Sequence, residues 1–361
     1  MTRTRRFVVI SCAVVVVVSG LAQADFQRVQ AFPGADPAAY GIAVQALPCG
    51  LFLVWDGNNI HCQTLVGGED FGAIASGYEG DPAFMALSPD GHTVLLGGGY
   101  MRPLMLFDVN NSADYSPDAI LSNSISHYWG VFLTEDLVLI DKGTDDYTTD
   151  ELVIVDITEE PPVAQTVMYK PAAGDLAAGE YAASCALAVD PARTTVYCMS
   201  SIYVLDPYFQ IVSNQMKSIS VGALIAAYES KAVLDWNTAP TSIGADGQYF
   251  TLGPLAVTSN GDILCSGTGG VNRIDPASGV ILDTYNPTGG AWDYYSAAYN
   301  PVTDMVLAIA SDPGDYQTDN VYAEQGAFAA LPALGWGGLA VLIGLCVAVG
   351  LRRTAHGWND S

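Results

Sequence analysis

One hairpin motif returns along this chain: an alternating apolar run, a turn built from Pro, Asp, Gly or Asn, and a second β-rich run. Four copies are AFMALSPDGHTVLLGGG from Ala83, CALAVDPARTTVYCMSS from Cys185, LAVTSNGDILCSGTGG from Leu255 and SAAYNPVTDMVLAIAS from Ser296. Alternation at period two suits strands packed between layers, and the turn residues close the hairpin. Innermost strands are expected to start near Tyr40, Phe84, Trp129, Cys185, Val221, Leu255 and Ser296, a spacing of about 43 residues that matches one four-stranded blade of a β-propeller. The fold expected is all-β, a seven-bladed β-propeller, with six blades if the Val221 segment is an insertion and eight as the other alternative.

The third strand of a repeat ends in Asp, as in LMLFDVNN (Asp108), LVIVDITEE (Asp156), IYVLDPYF (Asp206) and VNRIDPASG (Asp275). A carboxylate there can accept the N–H groups of the following turn, so recurrence argues for turn closure over catalysis. The segment DFQRVQAFPG from Asp25 compares with ILDTYNPTGG, an outer strand. It is expected to complete the last blade, pairing the two ends of the domain and removing open sheet edges.

The ends have a different character. Arg3, Arg5 and Arg6 precede an apolar run and the Ala22-Gln23-Ala24 site, the layout of a secretory signal peptide over 1–24. Residues 327–351 are apolar and uncharged, followed by Arg352-Arg353, which predicts one transmembrane helix, a basic stop and a cytoplasmic tail at 354–361. The propeller domain would occupy 25–326, outside the cytoplasm in the cell envelope. The net charge is −25, and five of the 13 basic residues, Arg3, Arg5, Arg6, Arg352 and Arg353, lie outside that domain, so the domain is strongly acidic and nucleic acid is excluded as a partner.

Two resemblances follow from these residues. SPDGHTVLLGG and VNRIDPASGVILDTY resemble the repeats of bacterial surface propellers of the YVTN and quinoprotein-like superfamily, which implies the fold. Quinoprotein dehydrogenases of that group carry tryptophan docking motifs in successive blades. Trp55, Trp129, Trp236 and Trp292 show no such register, so the resemblance carries no cofactor here. Leu331-Pro332-Ala333-Leu334-Gly335-Trp336-Gly337, the apolar span and the two arginines resemble the C-terminal sorting tails of the IPTL and PEP types. That resemblance implies Pro332, Trp336, Arg352 and Arg353 as the sorting motif and a sorting transpeptidase as a partner.

Candidate chemistry is sparse. The loop Asp141-Lys142-Gly143-Thr144-Asp145-Asp146-Tyr147-Thr148-Thr149-Asp150-Glu151 is dense in hard oxygen ligands, which makes Asp141, Asp145, Asp146 and Asp150 the candidate Ca²⁺ ligands. Tyr128, Trp129, Trp292, Tyr294 and Tyr295 precede innermost strands and are the candidate aromatics of a ligand-binding mouth. A nucleophile needs a base beside it, and the exported body offers His61, His92 and His127 for that role, His92 in the turn after Asp90-Gly91 and His61 in an alternating strand. Cys185 and Cys198 flank the Asp190-Pro191-Ala192-Arg193 turn symmetrically, so a cross-strand disulfide is a further expectation. The function expected is a non-catalytic binding or scaffold module for an extracytoplasmic protein or glycan. The alternative is a lactonase or glycan-active hydrolase, which would need two carboxylates about 5–10 Å apart at the channel.

Overall fold

The structure is a computed structural model that describes residues 26–33, 44–46, 52–55, 59–63, 70–76, 84–97, 104–108, 118–121, 129–143, 150–171, 174–183, 186–206, 208, 210–249, 255–267, 270–285, 294–301, 304–311 and 318–324. Its first strand, β1 (Phe26–Pro33), belongs to the last sheet. The first sheet is β2 (Val44–Ala46), β3 (Phe52–Trp55), β4 (Asn59–Gln63) and β5 (Asp70–Ser76). The second is β6 (Phe84–Leu87), β7 (Thr93–Gly97), β8 (Leu104–Asp108) and β9 (Asp118–Leu121). The third is β10 (Trp129–Phe132), β11 (Leu137–Gly143), β12 (Asp150–Asp156) and β13 (Val163–Tyr169).

The fourth sheet contains β14 (Glu180–Ala183), β15 (Leu187–Val189), β16 (Thr195–Val204) and β17 (Gln210–Ser220). Helix α1 (Val221–Ser230) follows it, and then β18 (Leu234–Asp235) adds to the third sheet and β19 (Thr241–Ile243) to the fourth. The fifth sheet is β20 (Leu255–Val257), β21 (Ile263–Gly267), β22 (Gly270–Asp275) and β23 (Val280–Tyr285). The sixth is β24 (Tyr294–Asn300), β25 (Met305–Ser311) and β26 (Thr318–Glu324), with β1 at its outer edge.

The innermost strands touch in succession, β2 to β6, β10, β15, β20 and β24, and β24 touches β2. The ring is therefore closed, with six sheets among the described residues. This corrects the expectation of seven. Two local facts explain the difference. The run TVYCMSSIYV forms one ten-residue strand, β16, so Asp206 follows a second strand and lies in the β16–β17 hairpin. The Val221 segment is helical because VGALIAAYES holds good helix formers without alternation, and Lys231 ends it in the left-handed region with its N–H on the Ala227 and Tyr228 carbonyls.

Closure joins the two ends of the domain. Strand β1 pairs antiparallel with β26, Phe26 opposite Glu324 and Pro33 opposite Thr318. The turns follow the repeat pattern. Asp90 accepts from the Ser88 hydroxyl and the His92 N–H, and Asp190 accepts from Thr194 and Thr195. At third-strand ends Asp156 accepts from Thr158, and Asp275 accepts from Ala277 and Ser278. In the third sheet, where the Pro-Asp-Gly turn is missing, the Thr134 hydroxyl takes the same role for the N–H groups of Asp136 and Leu137.

The core lies between sheets. One apolar cluster joins Phe84 and Leu95 of the second sheet, Val138 and Ile154 of the third, and Leu187 and Cys198 of the fourth. Others fill the fourth–fifth and fifth–sixth interfaces. Among the described residues no helix is long and apolar enough to cross a membrane. The signal segment 1–24, the span 327–351, Pro332, Trp336, Arg352 and Arg353 lie outside the described residues.

Candidate functional site

Two places gather chemistry: the hub, and a buried ionic cluster between the third and fourth sheets. The hub holds an open-mouthed cavity of about 400 Å³. Small residues in its walls, among them Ala86, Gly130, Ala188, Ala256 and Ala297, leave the space open, and the hairpin turns around Pro89, Pro191, Ser259 and Pro301 ring one end. Its ionic residues are already engaged. Asp190 serves its own turn. Arg193 donates from Nη1 to the Phe132 carbonyl of the third sheet, and burial lowers its pKa against the raising influence of Glu135 and Asp190.

Arg193 has a signal in the sequence that motif reasoning passed over. It occupies the left-handed position, φ 53°, that Gly91 and Gly261 hold in equivalent turns. A residue with a Cβ adopts that conformation at a cost. The inter-sheet bond from its guanidinium offsets it.

The second place is built from the ends of three strands. Asp141 lies near the end of β11 and Asp150 opens β12, with Gly143 opposite Asp150 in the register. Lys170 follows β13, its N–H bonded to the Asp150 carbonyl at 2.7 Å. Its Nζ reaches Asp141 Oδ2 at 2.7 Å and Asp150 Oδ2 at 3.1 Å, with all three side chains at 0 % exposure. The same Nζ donates to the Met199 carbonyl of the fourth sheet at 2.7 Å. Burial first, then the neighbouring Asp141 charge, push the Asp150 carboxyl well above the usual carboxylate range, with Lys170 pulling the other way.

Close by on the fourth sheet, Lys217 donates to the Trp236 carbonyl at 2.9 Å and stands 4.3 Å from the Trp236 ring centroid. Cys198 is a free, buried thiol. Burial pushes its pKa up to about 12. The expected Cys185–Cys198 disulfide is thus corrected: the turn is longer than two residues, and the register sets Leu187 opposite Cys198.

The expected sites meet different outcomes. Asp141 and Asp150 come together, but around the Lys170 ammonium; Asp145 and Asp146 lie outside the described residues. Among the described residues no group of three or more His, Cys, Asp or Glu is placed to hold a metal. Trp129 is buried and lines the hub cavity, while Tyr294 and Tyr295 open β24. Tyr128 and Trp292 lie outside the described residues. Lys170 was invisible to motif reasoning, because nothing local to it marks the two acids it meets.

Comparison with solved structures supports this architecture. The chain is similar to the β-propeller domain of a Myceliophteria thermophila protein, at 10% identity over 82% of this chain and 99% of that one, with a TM-score of 0.50. A calcium-binding protein, regucalcin, from Agrobacterium tumefaciens gives 13% identity, 84% and 90% coverage and a TM-score of 0.50. A gluconolactonase from Xanthomonas campestris gives 9% identity, 84% and 94% coverage and a TM-score of 0.51. The chain is a β-propeller. No family model and no curated protein matches it, and at these identities the likeness speaks for the fold alone.

Proposed function

We propose that the chain is an exported, membrane-tethered propeller that binds an apolar group of an extracytoplasmic protein in its hub and catalyses no reaction. The observation that carries this reading is the hub cavity: about 400 Å³, with a lining more apolar than polar that includes Phe84, Trp129, Leu187 and Leu255, and with its ionic residues Asp190 and Arg193 committed to turn and inter-sheet bonds. Such a site offers shape and apolar surface, as ligand pockets do.

What supports the tether is the placement of the ends. Phe26 and Glu324 are paired, at the same end as the Asn300–Met305 hairpin of the sixth sheet. A leader before residue 26 and a span after residue 324 would leave from that end, where the hairpin turns surround the cavity. An envelope location belongs to the same reading, on the strength of the basic and apolar pattern of the two segments.

The hydrolase alternative, including a lactonase of the kind named among the similar structures, needs two converging carboxylates. Asp190 is the acid among the described residues that line the cavity, and its oxygens are in use. The test is a thermal-shift screen of the detergent-solubilised full chain against apolar peptides, glycans and lactones. An apolar peptide should raise the midpoint of the wild type and lose that effect in Ala256→Phe, which fills the wall. Turnover of a lactone or glycan, or ligand shifts that ignore Ala256→Phe, would overturn the reading.

A further inference from the structure

The buried cluster of Lys170, Asp141 and Asp150 is more than the hub reading needs. Three ionisable side chains at 0 % exposure are expensive to desolvate, and an ion pair of this kind often gains nothing over apolar replacements. The arrangement nevertheless aligns an amine, a carboxyl carbon and a second carboxyl group, fixed by three strand ends and the Met199 carbonyl.

We propose that Lys170 and Asp141 become joined by an intramolecular isopeptide bond, with Asp150 moving the proton. In water an amine and a carboxylic acid do not condense, because both ionise and water competes. A dry site disfavours both charges, and a fixed contact replaces a bimolecular encounter. Asp150 Oδ2 stands 3.1 Å from the same Nζ, and burial and then Asp141 raise its pKa, so its carboxyl is placed to carry the proton between the two reacting groups.

The step balances without any co-reactant. The Lys170 ammonium passes one proton to the Asp141 carboxylate, and the freed nitrogen lone pair attacks Asp141 Cγ, forming the N–C bond. Asp150 hydrogen-bonds the oxygen of the tetrahedral centre and gives its proton to the departing hydroxyl. The C–O bond breaks and water leaves. Asp150, now a carboxylate, takes the surplus proton from nitrogen and returns to its neutral form. The amide N–H that remains has an acceptor waiting: the Met199 carbonyl, 2.7 Å from Nζ. The product is neutral where an ion pair stood, and ties β11 to the residue after β13.

The experiment is mass spectrometry of the full chain, purified and digested under denaturing conditions. The expected result is a branched peptide joining the Lys170 and Asp141 segments, lighter than the two linear peptides together by one water, about 18 Da. Lys170→Arg and Asp141→Ala should release the linear peptides at full mass. Asp150→Ala keeps the reacting pair and should leave it largely unjoined. Linear wild-type peptides at full mass would mean an ion pair only and would overturn the proposal, with no variant needed. A water loss that persists in Lys170→Arg would also overturn it by locating the chemistry elsewhere. Joining at full yield in Asp150→Ala would remove Asp150 from the step. None of these outcomes depends on a ligand in the hub.

Discussion

Gly130 of β10 and Gly97 of β7 both make room for one ring, that of Phe84 in β6, and this offers a quantitative test of how neighbouring sheets meet. A Cβ added at Gly130 would lie 2.7 Å from Cε2 and Cζ of Phe84 and 3.1 Å from Leu95 Cδ2. Ordinary carbon contacts begin near about 3.5 Å, so the ring would have to withdraw. Its other side blocks that route, since a Cβ at Gly97 would already meet Cε1 and Cζ at 2.9 Å, and Phe84 is only 1 % exposed. Gly130→Ala should therefore cost about 1–3 kcal/mol, the usual range for overpacking. Phe84→Leu alone should cost about 1–2 kcal/mol through lost contacts. In the double variant the shorter side chain clears the new methyl, so the total should stay close to that of Phe84→Leu, a coupling of about 1–3 kcal/mol. Urea unfolding followed by tryptophan fluorescence and circular dichroism measures all four corners of the cycle. Additivity within about 0.5 kcal/mol would refute the claim that one ring bridges the second and third sheets.

Two further outcomes are expected. Hydrogen bonds from the Ser278 hydroxyl and then the Ala277 N–H hold Asp275 below its ordinary pKa of 3.8. Its stabilising contribution is therefore complete above that value and is lost as pH falls through the lowered one. Asp275→Asn should flatten this part of the acid limb of a stability-against-pH curve, and an unchanged limb would count against the turn-closing role. Cys198, buried with its thiol pushed up to about 12, should resist iodoacetamide at pH 8 in the native chain and react once denatured, because the thiolate is the nucleophile. Rapid native labelling, mapped by peptide mass, would contradict its placement between sheets.

Several parts of this molecule were legible in the order of residues. Turn chemistry is local: Asp90, Asp190 and Asp275 each bond groups within a few residues of themselves, so a repeated Asp in a Pro/Gly-rich setting suffices to identify it. The closing strand was legible too, because DFQRVQAFPG carries the pattern of an outer strand with no partner nearby, and β26 is where it pairs. The number of sheets was harder. A ten-residue β-rich run reads equally well as two short strands, and only its pairing with β17 from Thr195 to Val204, with one register shift between Ile202 and Tyr203, shows it to be one. The Val221 segment misled for a related reason: a short apolar stretch has no decisive period until its packing is known.

The sequence by itself determined the repeating hairpin, its turn residues and the β-propeller that they build, because those interactions span a few residues and recur. Tertiary structure decided everything that joins one sheet to another. It put Arg193 on the Phe132 carbonyl, Phe84 against Gly130, and Lys170 between two acids that precede it by about thirty and twenty positions. Those contacts depend on which strand ends meet and which faces are buried, and no spacing along the chain encodes them. The physical reason is burial: a lysine and an aspartate acquire unusual chemistry only when neighbouring sheets exclude water from both.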